Sequence, residues 1–184
     1  MTNLEFVKIA LRDRNVGALT VSSRFVVERV VREVPADARF VVEYGPGSGV
    51  TTRALLATMP KDSKLVAIEQ NKAFSPALGK IKDSRLKVVW GDALEFAKIL
   101  GQLCDTSSID MVIANIPFSL LTPGERESVF ADTHNALKDG GVFLVYQYYP
   151  FFVMPRLKKI FTRVSLRAVE LRNLPPYFII RAEK

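Results

Sequence analysis

The chain has 184 residues, of which 48% are hydrophobic and 24% are charged, a balance typical of a folded globular domain rather than of a disordered segment. The single cysteine, Cys104, excludes an internal disulfide and a cysteine-rich metal cluster, and the single histidine, His134, has no companion ligand for a zinc site. The formal charge of +7 favours a polyanionic partner, either nucleic acid or an anionic membrane surface.

Two helices are predicted in the N-terminal segment. Residues 3–14 place charged side chains on one arc and apolar side chains on the other, which predicts an amphipathic helix. A second helix is predicted over residues 24–34, after the capping residues Ser22 and Ser23. No secretory signal is visible, and the longest apolar stretch, residues 142–154, is too short to span a bilayer. We therefore expect a cytoplasmic protein that is soluble or peripheral on the membrane.

Strands and helices then alternate along the chain. Strands are predicted over residues 40–44, 64–69, 86–90, 109–114 and 142–146, and helices over residues 51–59, 73–81, 93–100 and 125–137. Such alternation implies right-handed crossovers and a mainly parallel sheet with helices on both faces. Two closing strands, 163–170 and 177–182, have no helix between them and should pair antiparallel. The predicted fold is a single α/β, Rossmann-like domain over residues 1–184, with an N-terminal helical segment over residues 1–34 and a seven-stranded core over residues 39–184.

A glycine-rich segment, Glu43-Tyr-Gly-Pro-Gly-Ser-Gly49, lies where the first strand gives way to a helix. Its three glycines remove side chains where the backbone must turn sharply and approach a ligand. Glu69 ends the next strand, where a carboxylate can accept both ribose hydroxyls of an adenosine ligand. Glu43 would repel a pyrophosphate but tolerate a cationic sulfonium or amino group. The pattern therefore favours a cationic adenosine ligand over a dinucleotide.

Polar and aromatic residues also end the third, fourth and fifth strands. Asp92 can accept a hydrogen bond from an adenine amino group, or it can cap the helix that follows. Asn115 offers a side-chain carbonyl that can hold an amine, with Phe118 covering the acceptor, although an Asn-Ile-Pro sequence also suits a turn at the end of a strand. Tyr146 and Tyr148 share one face of the fifth strand, where they either line an acceptor pocket or pack in the core.

In combination, Glu43–Gly49, Glu69, Asp92 and Asn115–Phe118 resemble the motifs of class I S-adenosylmethionine-dependent methyltransferases. Residues 16–23 resemble the opening of the bacterial phospholipid N-methyltransferase family, and residues 171–177 resemble its R-N-L-P-P-A segment. The chain departs from that family at Val21 and Tyr177, where the family usually has proline and alanine. Asn115-Ile-Pro-Phe118 is closer to the motif of the ribosomal RNA adenine dimethylases, whose helical C-terminal domain we do not expect here.

The resemblance implies S-adenosyl-L-methionine as cofactor, S-adenosyl-L-homocysteine as product, and no metal. The implied cofactor-binding residues are Thr20, Ser23, Glu43, Gly45, Pro46, Gly47, Gly49, Glu69, Gln70, Asp92, Ala93 and Asn115. The implied catalytic residues are Asn115, Phe118, Tyr146 and Tyr148.

The expected function is N-methylation of the amino head group of phosphatidylethanolamine or an ornithine-type lipid. The protein would act as a monomer on the inner face of the cytoplasmic membrane, with the helix over residues 3–14 docked on lipid. Two alternatives are an RNA adenine-N6 methyltransferase that acts on ribosomal RNA, and a non-catalytic cofactor-binding module that supports a partner protein.

Overall fold

The computed structural model of the protein describes residues 22–95, 109–173 and 175–184. The predicted helix over residues 3–14, the predicted cofactor ligand Thr20 and most of the predicted helix over residues 93–100 lie outside the described residues.

Helices and strands follow each other in the described part much as the sequence predicts. The helices are α1 (Arg24–Arg32), α2 (Val50–Thr58), α3 (Ser75–Leu78), α4 (Pro123–Ala136) and α5 (Met154–Ile160). The strands are β1 (Phe40–Tyr44), β2 (Lys64–Glu69), β3 (Leu86–Trp90), β4 (Ile109–Ala114), β5 (Leu137–Gln147), β6 (Arg163–Glu170) and β7 (Tyr177–Glu183).

All seven strands form one sheet in the order β3-β2-β1-β4-β5-β7-β6. Strands β1 to β5 are parallel, and β7 runs antiparallel to both β5 and β6. Successive residues of β1 point to opposite faces, so that Val41 joins one buried apolar cluster and Val42 the other. The predicted α/β fold, with its mostly parallel seven-stranded sheet and antiparallel closing strand, is confirmed.

Three helices differ from the prediction, each for a local reason. Helix α4 begins at Pro123, two residues early, because Thr122 and Glu125 form a reciprocal capping box. The predicted helix over residues 73–81 is shorter, because a 3-10 turn at Lys72–Phe74 leads into only one turn of α-helix. Helix α5 was not predicted, since its seven residues carry a proline in the first turn and offer little periodicity.

No helix within the three described ranges combines the length and the apolar character needed to cross a bilayer.

Asp110 ties the amino ends of three strands together. Its Oδ2 accepts hydrogen bonds from the backbone amides of Arg39 at 2.7 Å and Phe40 at 2.8 Å, and Lys138 forms an ion pair with the same carboxylate. Although partial burial opposes ionisation, the hydrogen bonds from Lys138 and the two amides hold the pKa of Asp110 below its usual value.

We predict that Asp110→Ala lowers the free energy of unfolding by about 3 kcal/mol at neutral pH, because the buried amide of Phe40, the partly buried amide of Arg39 and the Lys138 ammonium lose their acceptor. A lowered folded-state pKa stabilises the fold above the usual carboxyl pKa, and this contribution is lost as the pH falls through the folded-state value. The difference in the free energy of unfolding between the variant and the wild-type protein, measured with urea, should therefore become smaller in acid. Asp139→Ala, which removes an exposed carboxylate from β5, is the control, and an equal loss there would contradict the prediction.

Candidate active site

A cavity of about 350 Å³ opens at the carboxyl edge of the sheet. The loops that follow β1, β2, β3 and β4 line it, which is where open α/β sheets bind their ligands. The backbone ladder continues into two of these loops: Gly45 donates to the carbonyl of Ile68 at 2.9 Å, and Asn115 donates to the carbonyl of Tyr44 at 3.0 Å. The first residues of the two loops are therefore held as firmly as the strands before them.

The glycine loop packs directly against the Asn115 segment. Gly45 has a φ of +71°, and a Cβ at this position would lie 3.1 Å from the backbone oxygen of Asn115. Gly49 has a φ of +74°, and a Cβ there would lie 2.9 Å from Cδ1 of Ile81. Glycine is thus required at both positions by the backbone conformation and by the close approach of neighbouring atoms.

Glu69 holds the glycine loop as well as the cavity wall. Its Oε2 accepts the amide of Gly47 at 2.9 Å, and its Oε1 accepts the amide of Asn71 at 2.8 Å. The two oxygens of a carboxylate can accept about four hydrogen bonds, so one side chain can order the loop and bind ribose hydroxyls together. The position and chemistry of Glu69 therefore fit an adenosine-containing cofactor.

Arg53 is a supporting residue that the sequence analysis missed. From α2 it donates to the carbonyls of Ser48 at 3.1 Å, Gly49 at 3.0 Å and Ala77 at 3.1 Å. It thereby connects the end of the glycine loop to α3. An arginine one turn into a helix carries no distinctive signal, because its partners are backbone carbonyls that the sequence does not identify.

Asp92 lies in the cavity wall and also caps the turn that follows it. Its Oδ1 accepts the amide of Leu94 at 2.9 Å, at the start of a 3-10 turn over Ala93–Glu95. Both alternatives that the sequence offered for Asp92, a cap and a cavity position, are present together. Its role towards adenine stays a prediction.

Glu43 is buried behind the glycine loop. Thr52 donates to its Oε2 at 2.6 Å, and its Oε1 has no hydrogen-bond partner among the described residues. Burial raises the pKa of Glu43 to about 7, the hydrogen bond from Thr52 opposes the rise, and the charge of Glu69 adds to it. Near neutral pH this carboxyl group is therefore balanced between its two protonation states.

We predict that Glu43 makes the fold less stable as the pH rises from 4.5 to about 7, because the folded state holds a proton that the unfolded chain releases. The loss is about 3 kcal/mol in the free energy of unfolding for a pKa shift of this size. Glu43→Gln should remove this pH dependence and be the more stable protein above neutral pH, as measured by denaturant unfolding across the pH range. Glu28→Gln, at an exposed position of α1, should keep the fall in the free energy of unfolding with pH. If Glu43→Gln keeps this fall too, Glu43 is not its source.

Tyr146 connects the cavity to the Asn115 side chain. Its hydroxyl lies 3.0 Å from Oγ1 of Thr51 and also forms hydrogen bonds with the side chains of Ser22 and Asn115. Burial raises the pKa of Tyr146, and the charge of Glu43 raises it further, so the hydroxyl keeps its proton. This network fixes Asn115 from its buried side.

A second, smaller cavity of about 20 Å³ lies on the other side of the Asn115 segment. Asn115, Ile116 and Pro117 line both cavities and form the wall between them. The remaining lining of the small cavity is polar and aromatic: Ser119, Gln147, Tyr148, Tyr149 and Tyr177.

The large cavity brings together most of the predicted site residues. These are Gly45, Pro46, Gly47, Glu69, Gln70, Asp92, Ala93, Asn115 and Tyr146. Tyr148 lines the small cavity instead.

Four other predicted residues do not line the large cavity. Ser23 is the N-cap of α1, where its hydroxyl accepts the amide of Val26. Glu43 and Gly49 support the glycine loop from behind. Phe118 is fully buried, with its ring centroid 5.1 Å from that of Phe130. The assigned roles of these residues stay predictions.

Several residues of the cavity wall were not predicted from the sequence. Ser22, Thr51, Phe74 and Leu120 line the cavity without belonging to any motif. Ser22 was predicted only as part of a helix cap, yet the cap is formed by its neighbour Ser23. Such residues line the cavity only because the fold brings them there, and a single sequence does not reveal this.

The C-terminal R-N-L-P-P segment fixes the start of α1. The side-chain oxygen of Asn173 accepts the amide of Ser23 at 3.2 Å, and its side-chain nitrogen donates to the carbonyl of Pro175 at 3.1 Å. Arg172 packs its guanidinium 3.9 Å from the ring centroid of Phe25. The described end of the 16–23 motif, Ser22 and Ser23, therefore lies beside Asn173 of the second motif.

Sequence comparisons match two kinds of methyltransferase. The family model described as ribosomal RNA adenine dimethylase matches residues 17–123. An ornithine lipid N-methyltransferase from Singulisphaera acidiphila is 26% identical over 164 residues, which cover 88% of this chain and 84% of that protein. The ribosomal RNA small subunit methyltransferase A of Rhodopseudomonas palustris is 38% identical over 94 residues, which cover 48% of this chain and only 30% of that protein.

Solved structures share the fold at low identity. A precorrin-6y C5,15-methyltransferase from Geobacter metallireducens superposes with a TM-score of 0.70 at 18% identity, covering 89% of this chain and 90% of that one. A spermidine synthase from Thermotoga maritima superposes with a TM-score of 0.68 at 20% identity, covering 90% of this chain and 62% of that one.

Proposed function

The chain belongs to the ribosomal RNA adenine dimethylase family, and from this premise we propose that it methylates the amino head group of a membrane lipid of the phosphatidylethanolamine or ornithine-lipid type. It is a class I S-adenosylmethionine-dependent methyltransferase. The observation that carries the lipid assignment is the similarity to an ornithine lipid N-methyltransferase over 88% of this chain and 84% of that protein. The similarity to the ribosomal RNA enzymes covers only 30% to 38% of their length.

The cofactor supplies an electrophilic methyl group on a sulfonium. Gly45 and Gly47 would hold its methionine side, Glu69 its ribose and Asp92 its adenine, in the cavity of about 350 Å³. The role of the protein is then to bring an amine to the right place, because an amine needs no covalent activation.

Asn115 is the residue that would orient the amine. Its side-chain oxygen can accept an N–H of the acceptor, which directs the nitrogen lone pair away from Asn115 and towards the methyl carbon. When bound, S-adenosylmethionine would supply the methyl group and leave as S-adenosylhomocysteine, and the amine held by Asn115 would give up one proton to solvent. Tyr146 keeps the Asn115 side chain in place through their hydrogen bond.

We predict that Asn115→Ala lowers the turnover rate by at least a hundredfold, because a mispositioned acceptor loses most of the benefit of orientation. The affinity for S-adenosylmethionine, measured by calorimetry, should change by less than about threefold, since Glu69 and the glycine loop remain. Asn135→Ala, at an exposed position of α4, is the matched control. Turnover that is unchanged in Asn115→Ala would reject the assigned role of Asn115, and cofactor binding without any turnover in the wild-type protein would favour a non-catalytic module that supports a partner.

The substrate class is tested by offering both acceptors at once. Labelled methyl from S-adenosylmethionine is given to the full chain with aminolipid vesicles and ribosomal RNA, and the products are partitioned into organic solvent. Label in the organic phase is the expected result. Label in the RNA would establish adenine-N6 methylation, the alternative favoured by the family and by the Asn115–Phe118 motif, and would overturn the lipid assignment.

Exposed apolar side chains surround the mouth of the site and support action at a membrane. Leu120 of the large cavity is 58% exposed, and Tyr149 of the small cavity is 49% exposed. Phe151, whose ring centroid lies 5.8 Å from that of Tyr149, is 62% exposed. Aromatic residues are enriched at the membrane–water interface. The chain continues from Phe151 into α5, whose exposed Lys158 and Lys159 would face anionic head groups.

We predict that reversing Lys158 and Lys159 to glutamate weakens binding to phosphatidylglycerol vesicles by more than about thirtyfold. The loss of each basic side chain near an anionic surface costs roughly fivefold in affinity, and the two new carboxylates are repelled by the same surface. Binding is measured by vesicle co-sedimentation at low salt. The control reverses Lys61 and Lys64, which lie just before and at the start of β2, far from β6 in the strand order, and produce the same change in net charge. If both pairs weaken binding equally, only the overall charge matters and the assigned surface is wrong.

A further inference from the structure

The small cavity is bordered by two buried hydroxyl groups, of Tyr148 and Tyr177, that lie close to each other and to Ser22 without a hydrogen bond of good geometry. Tyr148 and Tyr177 stand with their ring centroids 4.3 Å apart, and neither hydroxyl makes a hydrogen bond of good geometry to another described residue. Buried polar groups are normally hydrogen-bonded, so an unsatisfied pair beside a cavity indicates a missing polar ligand. The third tyrosine, Tyr149, is held by Gln147, whose side-chain nitrogen donates to its backbone oxygen at 2.7 Å.

We infer that the pocket between Tyr148, Tyr149 and Tyr177 binds the primary ammonium group of the acceptor, and that Tyr177 limits the size of the group that enters. This inference rests on the proposed function, since it assigns the acceptor subsite of the same enzyme. The pocket borders Asn115, the residue placed to orient the amine. An ammonium bound here would therefore lie against the same Asn115 segment that lines the cofactor cavity.

Aromatic faces and hydroxyl oxygens suit a small cation. Tyrosine rings attract ammonium groups, and the two unsatisfied hydroxyls can accept its N–H groups. No carboxylate or other charged side chain lines the small cavity among the described residues. Without an opposite charge the protonated form is favoured only weakly, so the amine can lose the proton that it must lose before methyl transfer.

The size limit follows from the volume of the pocket. About 20 Å³ accommodates one water-sized group, which fits an ammonium but not one bearing three methyl groups. The ring of Tyr177 occupies the place where the phospholipid N-methyltransferases usually have alanine, and it is almost completely buried. Because Tyr177 lines the pocket and cannot swing into solvent, its bulk would exclude a larger, methylated amine.

The test measures binding of methylammonium and tetramethylammonium to the full chain loaded with S-adenosylhomocysteine, by NMR titration. The original protein should bind methylammonium roughly tenfold more tightly than tetramethylammonium. Tyr177→Ala should abolish this preference by admitting the larger cation, whereas Tyr177→Phe should retain it because the ring remains. Tyr44→Phe, which removes a buried hydroxyl elsewhere, should behave like the original protein.

Equal affinity for both cations, or binding of neither, would overturn the inference, and so would an unchanged ratio in Tyr177→Ala. Competition by adenosine without any response to the cations would assign the pocket to a nucleobase instead and overturn it as well.

Failure of the inference is distinguishable from failure of the proposed function. Lipid methylation by a protein whose pocket does not discriminate the cations rejects the size limit alone. If the pocket discriminates between the two cations through Tyr177 but the protein methylates only RNA, the lipid assignment alone is rejected. With successively methylated lipid acceptors, Tyr177→Ala should raise kcat/KM for the dimethylated acceptor relative to the primary amine.

Discussion

The active site depends on one close approach, between the glycine loop after β1 and the Asn115 segment after β4. Because β1 and β4 are neighbours in the sheet, their loops leave the carboxyl edge side by side, and a backbone oxygen of one lies where a Cβ of the other would be. The first loop faces the cofactor cavity, and the second separates that cavity from the tyrosine-lined pocket. In the proposed reaction, the methyl donor and the amine acceptor would be brought together by contact between these two backbone segments. The side chains are then free to bind the ligands.

Much of this arrangement was predictable, because it follows from periodicity and from strand ends. The alternation of strands and helices fixes a parallel sheet, and a parallel sheet places Glu69, Asp92 and Asn115 at one edge whatever the details of packing. The antiparallel closing strand followed from the absence of a helix between residues 170 and 177. These predictions rest on rules of connection that hold for any sequence with this pattern.

Other features depend on three-dimensional neighbours that the sequence does not identify. Arg53 supports the glycine loop through carbonyl groups, which every residue has. Ser22, rather than Ser23, lines the cavity because the N-cap of α1 turns one hydroxyl into the helix. Phe118 follows the Asn115 motif yet packs in the core against Phe130, since the chain turns between them. Tyr177 belonged to a recognisable motif, but its pairing with Tyr148 emerges only when β5 and β7 lie next to each other.

The family match and the lining of the tyrosine pocket fall on different parts of the chain. The family model ends at residue 123, and so covers the cofactor loops and the Asn115 segment but none of Tyr148, Tyr149 or Tyr177. The half that carries the methyl donor is thus the half that is shared with enzymes acting on RNA. In the proposal above, the acceptor would be selected by β5, β7 and the turns at their ends, which can diverge without disturbing the donor site. A lineage could accordingly exchange one acceptor for another by changes confined to its last 40 or so residues, a length in keeping with the short elements that close a sheet of this kind.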